Sequence, residues 1–281
     1  MMASMACFVL NDTAMKLMAG DVSLFQLLML RGAITSMLVG LFVWRMGAFA
    51  ARPSGRDWRL ISLRTFAEIG ATVCFLTALF NMPIANVTAI VQVLPLTVTL
   101  GAALIFGEPV GWRRCLAIAV GFIGVLLIVQ PWSEAFNIWS IYALLAVLCI
   151  TIRDLSTRRL SRATPSIFVT FVTSTSIMLV FGLFQLGAPF TPMNLREVGL
   201  VSIAAIFIIG GYLFSIMVML IGEVSFSAPF RFTSLIWALL LGWIVFGEWP
   251  SATILIGAAI VIASGLFMLY REAYLGSQKR L

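Results

Sequence analysis

Ile105-Phe106-Gly107-Glu108 and Val245-Phe246-Gly247-Glu248 carry one pattern at two places in the chain. Each is an apolar pair, a glycine and a glutamate, followed within two residues by a proline and then by a new apolar run. Glycine and proline punctuate helices, so both segments read as breaks between helices. The match extends outward. The segment 75–87, Phe75 to Val87, aligns with 212–224, Tyr212 to Val224, and Asn11-Asp12 aligns with Arg153-Asp154. The chain therefore divides into a first half, 1–133, and a second, 134–281, within one integral membrane domain.

Ten stretches are long and apolar enough to cross a hydrocarbon core, which takes about 20 residues of helix. They fall at 2–19, 23–45, 59–81, 84–106, 111–130, 138–157, 164–187, 197–220, 223–246 and 250–270. Turn chemistry separates them at Gly20-Asp21, Arg52-Pro53-Ser54-Gly55, Met82-Pro83, Gly107-Glu108-Pro109, Gln130-Pro131, Gly187-Ala188-Pro189 and Gly247-Glu248-Trp249-Pro250. The predicted fold is all-α, with two five-helix repeats. Five is odd, so the second copy enters the bilayer from the opposite face. Inverted repeats of this kind occur in carriers that bind their cargo near the midplane, between the halves. Chance similarity between apolar helices is the competing explanation of the repeat.

Composition supports the membrane assignment. Hydrophobic residues make up 62% of 281 positions, charged residues 10%, and mean hydropathy is +1.09. A water-soluble surface needs far more polar area than this. The first helix is no signal peptide, because it lacks a basic leader and carries Asn11, Asp12 and Lys16. It begins almost at Met1, so whether native residues precede it is left open.

The net charge of +7 is a topology signal. With the N-terminus cytoplasmic, the inner side receives Arg45, Arg52, Arg56, Arg59, Arg113, Arg114, Arg153, Arg158, Arg159, Arg162, Arg271, Lys279 and Arg280. The outer side receives Lys16 and Arg196, a ratio of thirteen to two. Both termini are expected in the cytoplasm and the protein in a bacterial inner membrane. No nucleic-acid partner is needed to explain the basic balance.

Several classes of chemistry are disfavoured. Histidine is absent, which removes the commonest metal ligand and neutral-pH proton shuttle. Cys7, Cys74, Cys115 and Cys149 stand singly in apolar runs and read as packing residues. No GxxxxGK loop is present. The expectation is a chain without enzyme activity, metal or cofactor.

Polar groups inside spans are costly and commonly face a cavity or a partner. Thr88, Gln92, Pro95 and Thr99 recur at helical spacing and predict one polar stripe on the fourth span. Interhelical hydrogen bonding is the alternative role for such residues. Phe230, Thr233 and Trp237 share a face of the ninth span, beside Pro229, while Phe75 and Tyr212 occupy equivalent places in the two repeats. Aromatic walls with a few polar groups suit an amphipathic cargo, although any single aromatic could simply pack.

Charged residues can be matched by depth. Asp12 and Arg31 both lie about 14 Å in from the turn at Asp21, at 1.5 Å per residue, and can pair across the first hairpin. Glu68 and Arg231 lie about 12–14 Å in from the cytoplasmic ends of spans 3 and 9 and are a second candidate pair. Arg64 can also reach Glu68 at i+4. These groups either neutralise one another structurally, the preferred reading, or leave one carboxylate to carry a coupling proton. Ala117, Gly121 and Gly124 on the fifth span and Gly257, Ser264 and Gly265 on the tenth permit close helix contact, in a monomer or a homodimer.

The sequence resembles the drug/metabolite transporter superfamily in its ten-helix EamA branch. The likeness is carried by Asn11-Asp12-Thr13-Ala14-Met15-Lys16-Leu17, by Phe25-Gln26 through Leu30-Arg31-Gly32, and by 89–131 with Leu94-Pro95, Gly107-Glu108-Pro109 and Gly121-Phe122-Ile123-Gly124-Val125. The resemblance implies a pore lined by spans 1, 3, 4, 6, 8 and 9, flanked by 2 and 7, with 5 and 10 behind. It also implies small-molecule traffic in a lipid bilayer, and general similarity points to amino acid exporters, including those for aromatic amino acids.

The expected site is Asn11, Phe75, Thr88, Gln92, Tyr212, Thr233 and Trp237, in a carrier exporting amino acids or similar amphipathic metabolites by alternating access. The rivals are a carrier for a cationic drug, a vitamin or a nucleotide derivative, and a membrane assembly partner without transport.

Overall fold

The computed structural model describes residues 1–107, 111–131, 137–161, 163–221 and 228–278. Glu108, Pro109, Arg162, Gly222, Glu223, Lys279 and Arg280 therefore lie outside the described residues, as do the start of the ninth expected span and the side chain of Pro229. The α-helices are α1 (Met2–Lys16), α2 (Leu24–Arg45), α3 (Gly55–Asn81), α4 (Ile84–Val91), α5 (Leu94–Phe106), α6 (Trp112–Val129), α7 (Ile138–Arg158), α8 (Ser166–Gln185), α9 (Leu195–Ile221), α10 (Thr233–Phe246) and α11 (Ala252–Gln278). Short 3-10 turns occupy Ala48–Ala50 and Ala228–Phe232.

Local chemistry sets several of the boundaries. Ser23 and Ser54 accept from the backbone N–H groups of Gln26 and Asp57, and so cap α2 and α3. Asn137 caps α7 by accepting from Trp139 N. The two quoted glycines both adopt the left-handed conformation, Gly107 at φ 66°, ψ 23° and Gly247 at φ 65°, ψ 17°. A side chain would strain this backbone, which is why glycine ends α5 and α10 alike.

Among the described residues, seven segments are long and apolar enough to cross a bilayer, with α4 and α5 counted together. Cys115–Val129 and Phe230–Phe246 are shorter apolar helices. The apolar exterior needs lipid: Met37 is 80% exposed, Leu104 77% and Leu186 83%. The expected fourth span is not one straight helix. It breaks at Gln92-Val93, just before Pro95, whose ring cannot continue the upstream hydrogen bonding.

The helices pair in a regular way: α1 with α9, α3 with α7, α2 with α8, α6 with α11, and α4 and α10 with each other. Exchanging α1 with α7 and α3 with α9, each for the helix five spans away, leaves this set unchanged. Among the described residues, two large apolar clusters and a small one around Val39, Val43, Ala48 and Ile209 form the core. One large cluster lies beneath α1, α2, α8 and α9, the other beneath α4 to α7 and α11. Phe75 packs against both. The small residues of the fifth and tenth spans meet: a Cβ on Gly257 would stand 2.6 Å from the Gly124 carbonyl oxygen, and one on Gly121 would strike Leu96. The α6–α11 backbones approach this closely because glycine leaves room.

Candidate functional site

Polar side chains from six helices are linked in the interior. On α1, buried Asn11 donates from Nδ2 to Asp12 Oδ1 at 2.9 Å, and its Oδ1 accepts from Arg31 Nη1 of α2 at 3.4 Å. On α7, Arg153 donates from Nη1 to Glu68 Oε2 of α3 at 3.0 Å and from Nε to Asp154 Oδ1 at 2.8 Å. Arg64, one turn before Glu68, donates to Thr173 Oγ1 at 2.6 Å and to Thr157 Oγ1 at 3.0 Å. Tyr212 of α9 lies within electrostatic reach of Glu68, Arg153, Arg64 and Arg31. Its ring meets Phe8 edge-on, with centroids 5.4 Å apart.

This corrects three expected partnerships. Asp12 and Arg31 do interact electrostatically, but through Asn11, with no direct ion pair. Glu68 pairs with Arg153, neither with Arg231 nor with Arg64. Arg231 is exposed, and the opposite charge it senses is Asp154. Depth alone does not say which way a side chain faces around its helix. Arg153 was also counted as a loop residue, whereas α7 continues past it to Arg158 and presents it to α3.

The expected stripe on the fourth span is divided in its roles. Thr88 and Thr99 donate to carbonyls one turn back, Ile84 O at 2.8 Å and Pro95 O at 2.9 Å. Gln92 is buried and donates from Nε2 to Phe232 O and Ser234 Oγ, each at 3.1 Å. It is a tie between the α4–α5 break and the start of α10. Thr233 donates to Phe230 O at 2.6 Å. Trp237 packs into the first cluster, and its Nε1 is buried without a hydrogen-bond partner among the described residues, as is Asn86 Oδ1.

At the arginine-poor end, a second polar group joins four helices. Lys16, the last residue of α1, contacts both Glu248 oxygens at 2.8 and 2.9 Å and donates to Met82 O at 2.8 Å. Glu248 Oε2 also accepts from the first amide of α4, Ile84 N, at 3.3 Å. The carboxylate thus caps α4, follows the glycine that ends α10, and neutralises Lys16. Lys16, expected in an outer loop, has a side chain only 9% exposed. Sequence reading missed this knot, although the repeated Gly-Glu break was its signal. A matching signal existed for Arg153-Asp154, which stands where the first half has Asn11-Asp12.

The EamA-like transporter family matches residues 1–130 and again 137–270. The chain belongs to this family. The EamA assignment makes it a multi-pass membrane transporter, with a small-molecule cargo and no support for an enzyme. It is 27% identical over 231 residues to a riboflavin transporter of Rhizobium johnstonii, covering 82% of this chain and 76% of that one. It is 24% identical over 202 residues to an S-adenosylmethionine uptake transporter of Rickettsia prowazekii, covering 68% and 64%. A solved crystal structure shares the fold at TM-score 0.65 and 19% identity, over 94% of this chain and 93% of that one. These relatives are named for riboflavin and S-adenosylmethionine, and they do not support the resemblance to amino acid exporters.

Proposed function

We propose that this EamA protein is a secondary transporter for a neutral or anionic heteroaromatic metabolite of the riboflavin type. The observation that carries the cargo class is the charge arrangement around Tyr212. Asp12, Glu68 and Asp154 each already face an arginine, directly or through Asn11, so no described carboxylate there is left to receive a cationic cargo. Desolvating a cation without a counter-charge is costly, which disfavours S-adenosylmethionine and cationic drugs. Phe75 and Trp237, whose indole N–H is buried and unpartnered among the described residues, supply an aromatic wall and a donor suited to a ring system.

The frame of this reading is ten crossings in two inverted halves, 1–133 and 134–281, with both termini in the cytoplasm of a bacterial inner membrane. Three observations support it: the exchange-symmetric helix pairing, the matching backbone of Gly107 and Gly247, and the arginine bias of one end. Alternating access then amounts to opening the Lys16–Glu248 knot at one end and parting α3 from α7 at the other.

The test is flux in proteoliposomes with labelled riboflavin, S-adenosylmethionine and tryptophan, in both directions. Saturable riboflavin flux, uninhibited by tryptophan, is the expected result. Saturable tryptophan flux alone would return the cargo to the amino acids. Trp237→Phe should lower riboflavin flux while the protein still reaches the membrane folded, an outcome that an assembly partner without transport would not produce. An imposed pH gradient, compared in wild type and Asp12→Asn, reads proton coupling at the carboxylate that has no direct arginine contact.

A further inference from the structure

Away from the central site, the arginine-rich end holds a cavity of about 340 Å³ between the start of α3 and the α7–α8 connection. Its lining includes Arg52, Arg56 and Arg159, with the hydroxyl residues Ser54, Ser161 and Thr164 between them. A positive-inside bias explains why arginines populate this end, but it does not require two at the start of α3 and a third from the α7–α8 connection to surround one cavity.

The floor is built and held. Asp57 is buried, and its two carboxylate oxygens accept from Ser161 N and from Thr164 Oγ1, each at 3.2 Å, while its own amide bonds to Ser54 Oγ at 3.1 Å. These bonds fasten two segments more than a hundred residues apart in sequence. Asp57 therefore spends its oxygens on the floor, and three arginine charges outweigh its one. Arg159 is braced on the Phe106 ring, its guanidinium carbon 3.9 Å from the centroid. Among the described residues, none of Arg52, Arg56 and Arg159 makes an ion pair. Guanidinium forks suit phosphate oxygens, and hydroxyls add further donors. Trp58, 44% exposed, and Phe49, 48% exposed, stand on neighbouring turns, the kind of aromatic placement found at a bilayer surface.

We propose that this cavity binds a phosphate group, as an anionic lipid headgroup or as a soluble phosphate, at a site separate from the transport pathway. Native mass spectrometry of the full chain in detergent tests it, with phosphatidylglycerol, phosphatidylcholine and inorganic phosphate as probes. An arginine near an anionic headgroup contributes roughly fivefold in affinity. The Arg52→Gln, Arg56→Gln, Arg159→Gln triple variant should therefore lose phosphatidylglycerol binding by at least about tenfold. Arg45→Gln with Arg113→Gln, which removes charge elsewhere at the same end, should leave binding within about twofold.

Phosphatidylglycerol retained with this arginine dependence, and unmoved by millimolar inorganic phosphate, identifies the lipid headgroup as the source. Inorganic phosphate that binds alone with the same dependence identifies soluble phosphate. Equal loss in both sets of variants, or no arginine dependence for either probe, overturns the proposal. If the triple variant fails to fold, the single variants at Arg52 and Arg56, both exposed, read the same loss one step at a time.

Discussion

Asn11-Asp12 on α1 and Arg153-Asp154 on α7 occupy matching places in the two halves, yet they are wired differently. In the second half an arginine stands on the helix itself and grips two carboxylates, at 3.0 and 2.8 Å. In the first half the arginine comes from the neighbouring helix and reaches the acid only through an amide, with one link as long as 3.4 Å. A tight charged pair between α3 and α7 holds its geometry. In the proposed transport cycle, a loose amide chain would exchange partners with a cargo at small energetic cost. Under the proposed repeat, the two halves share their helix pairing and their glycine breaks and differ in these few side chains.

The largest expected effect comes from Arg153→Met. It leaves Glu68 and Asp154 without their cation, and breaking one side of a largely buried pair costs about 3 kcal/mol. A fall in the detergent melting temperature well beyond that of any first-half variant checks this. Adding Glu68→Gln should recover part of the loss, and no recovery would deny that the pair is coupled. Lys16→Met comes next, at about 2 kcal/mol, because charge-assisted bonds to Glu248 and Met82 are lost together. It should also change the protection of engineered cysteine probes in opposite directions at the two membrane faces.

Asn11→Leu should cost about 1 kcal/mol in stability. Its transport rate should fall more than its melting temperature predicts, which sharpens the contrast between a loose functional chain and a tight structural pair. If Asn11→Leu melts as low as Arg153→Met, the contrast fails. The smallest effect is expected for Asp154→Asn, under about 1 kcal/mol, since Arg153 keeps Glu68.

Much of the fold could be read from the chain because apolar length and glycine-proline punctuation act locally. Gly107 and Gly247 end their helices as their residue type requires, and the small residues of α6 and α11 meet as expected. The site was legible only in part. Asn11, Thr88 and Gln92 are buried and Phe75, Tyr212 and Trp237 half-buried, but Gln92 spends its amide on α10 and Glu68 pairs with an arginine counted on the inner side. Which residues meet across helices depends on rotation about each axis and on where a helix ends. Neither is written in spacing alone. The break at Gln92-Val93 likewise follows from Pro95, yet its extent depends on what α10 offers in return.

The Lys16–Glu248 contact joins positions 232 residues apart. During biogenesis, α1 leaves the ribosome with the Lys16 ammonium without its carboxylate until synthesis has reached Glu248. The first half must therefore wait in the translocon's lipid surroundings, and Glu248 is the late-arriving clasp that completes it. Nascent chains stalled before that residue should be the ones a membrane protease removes.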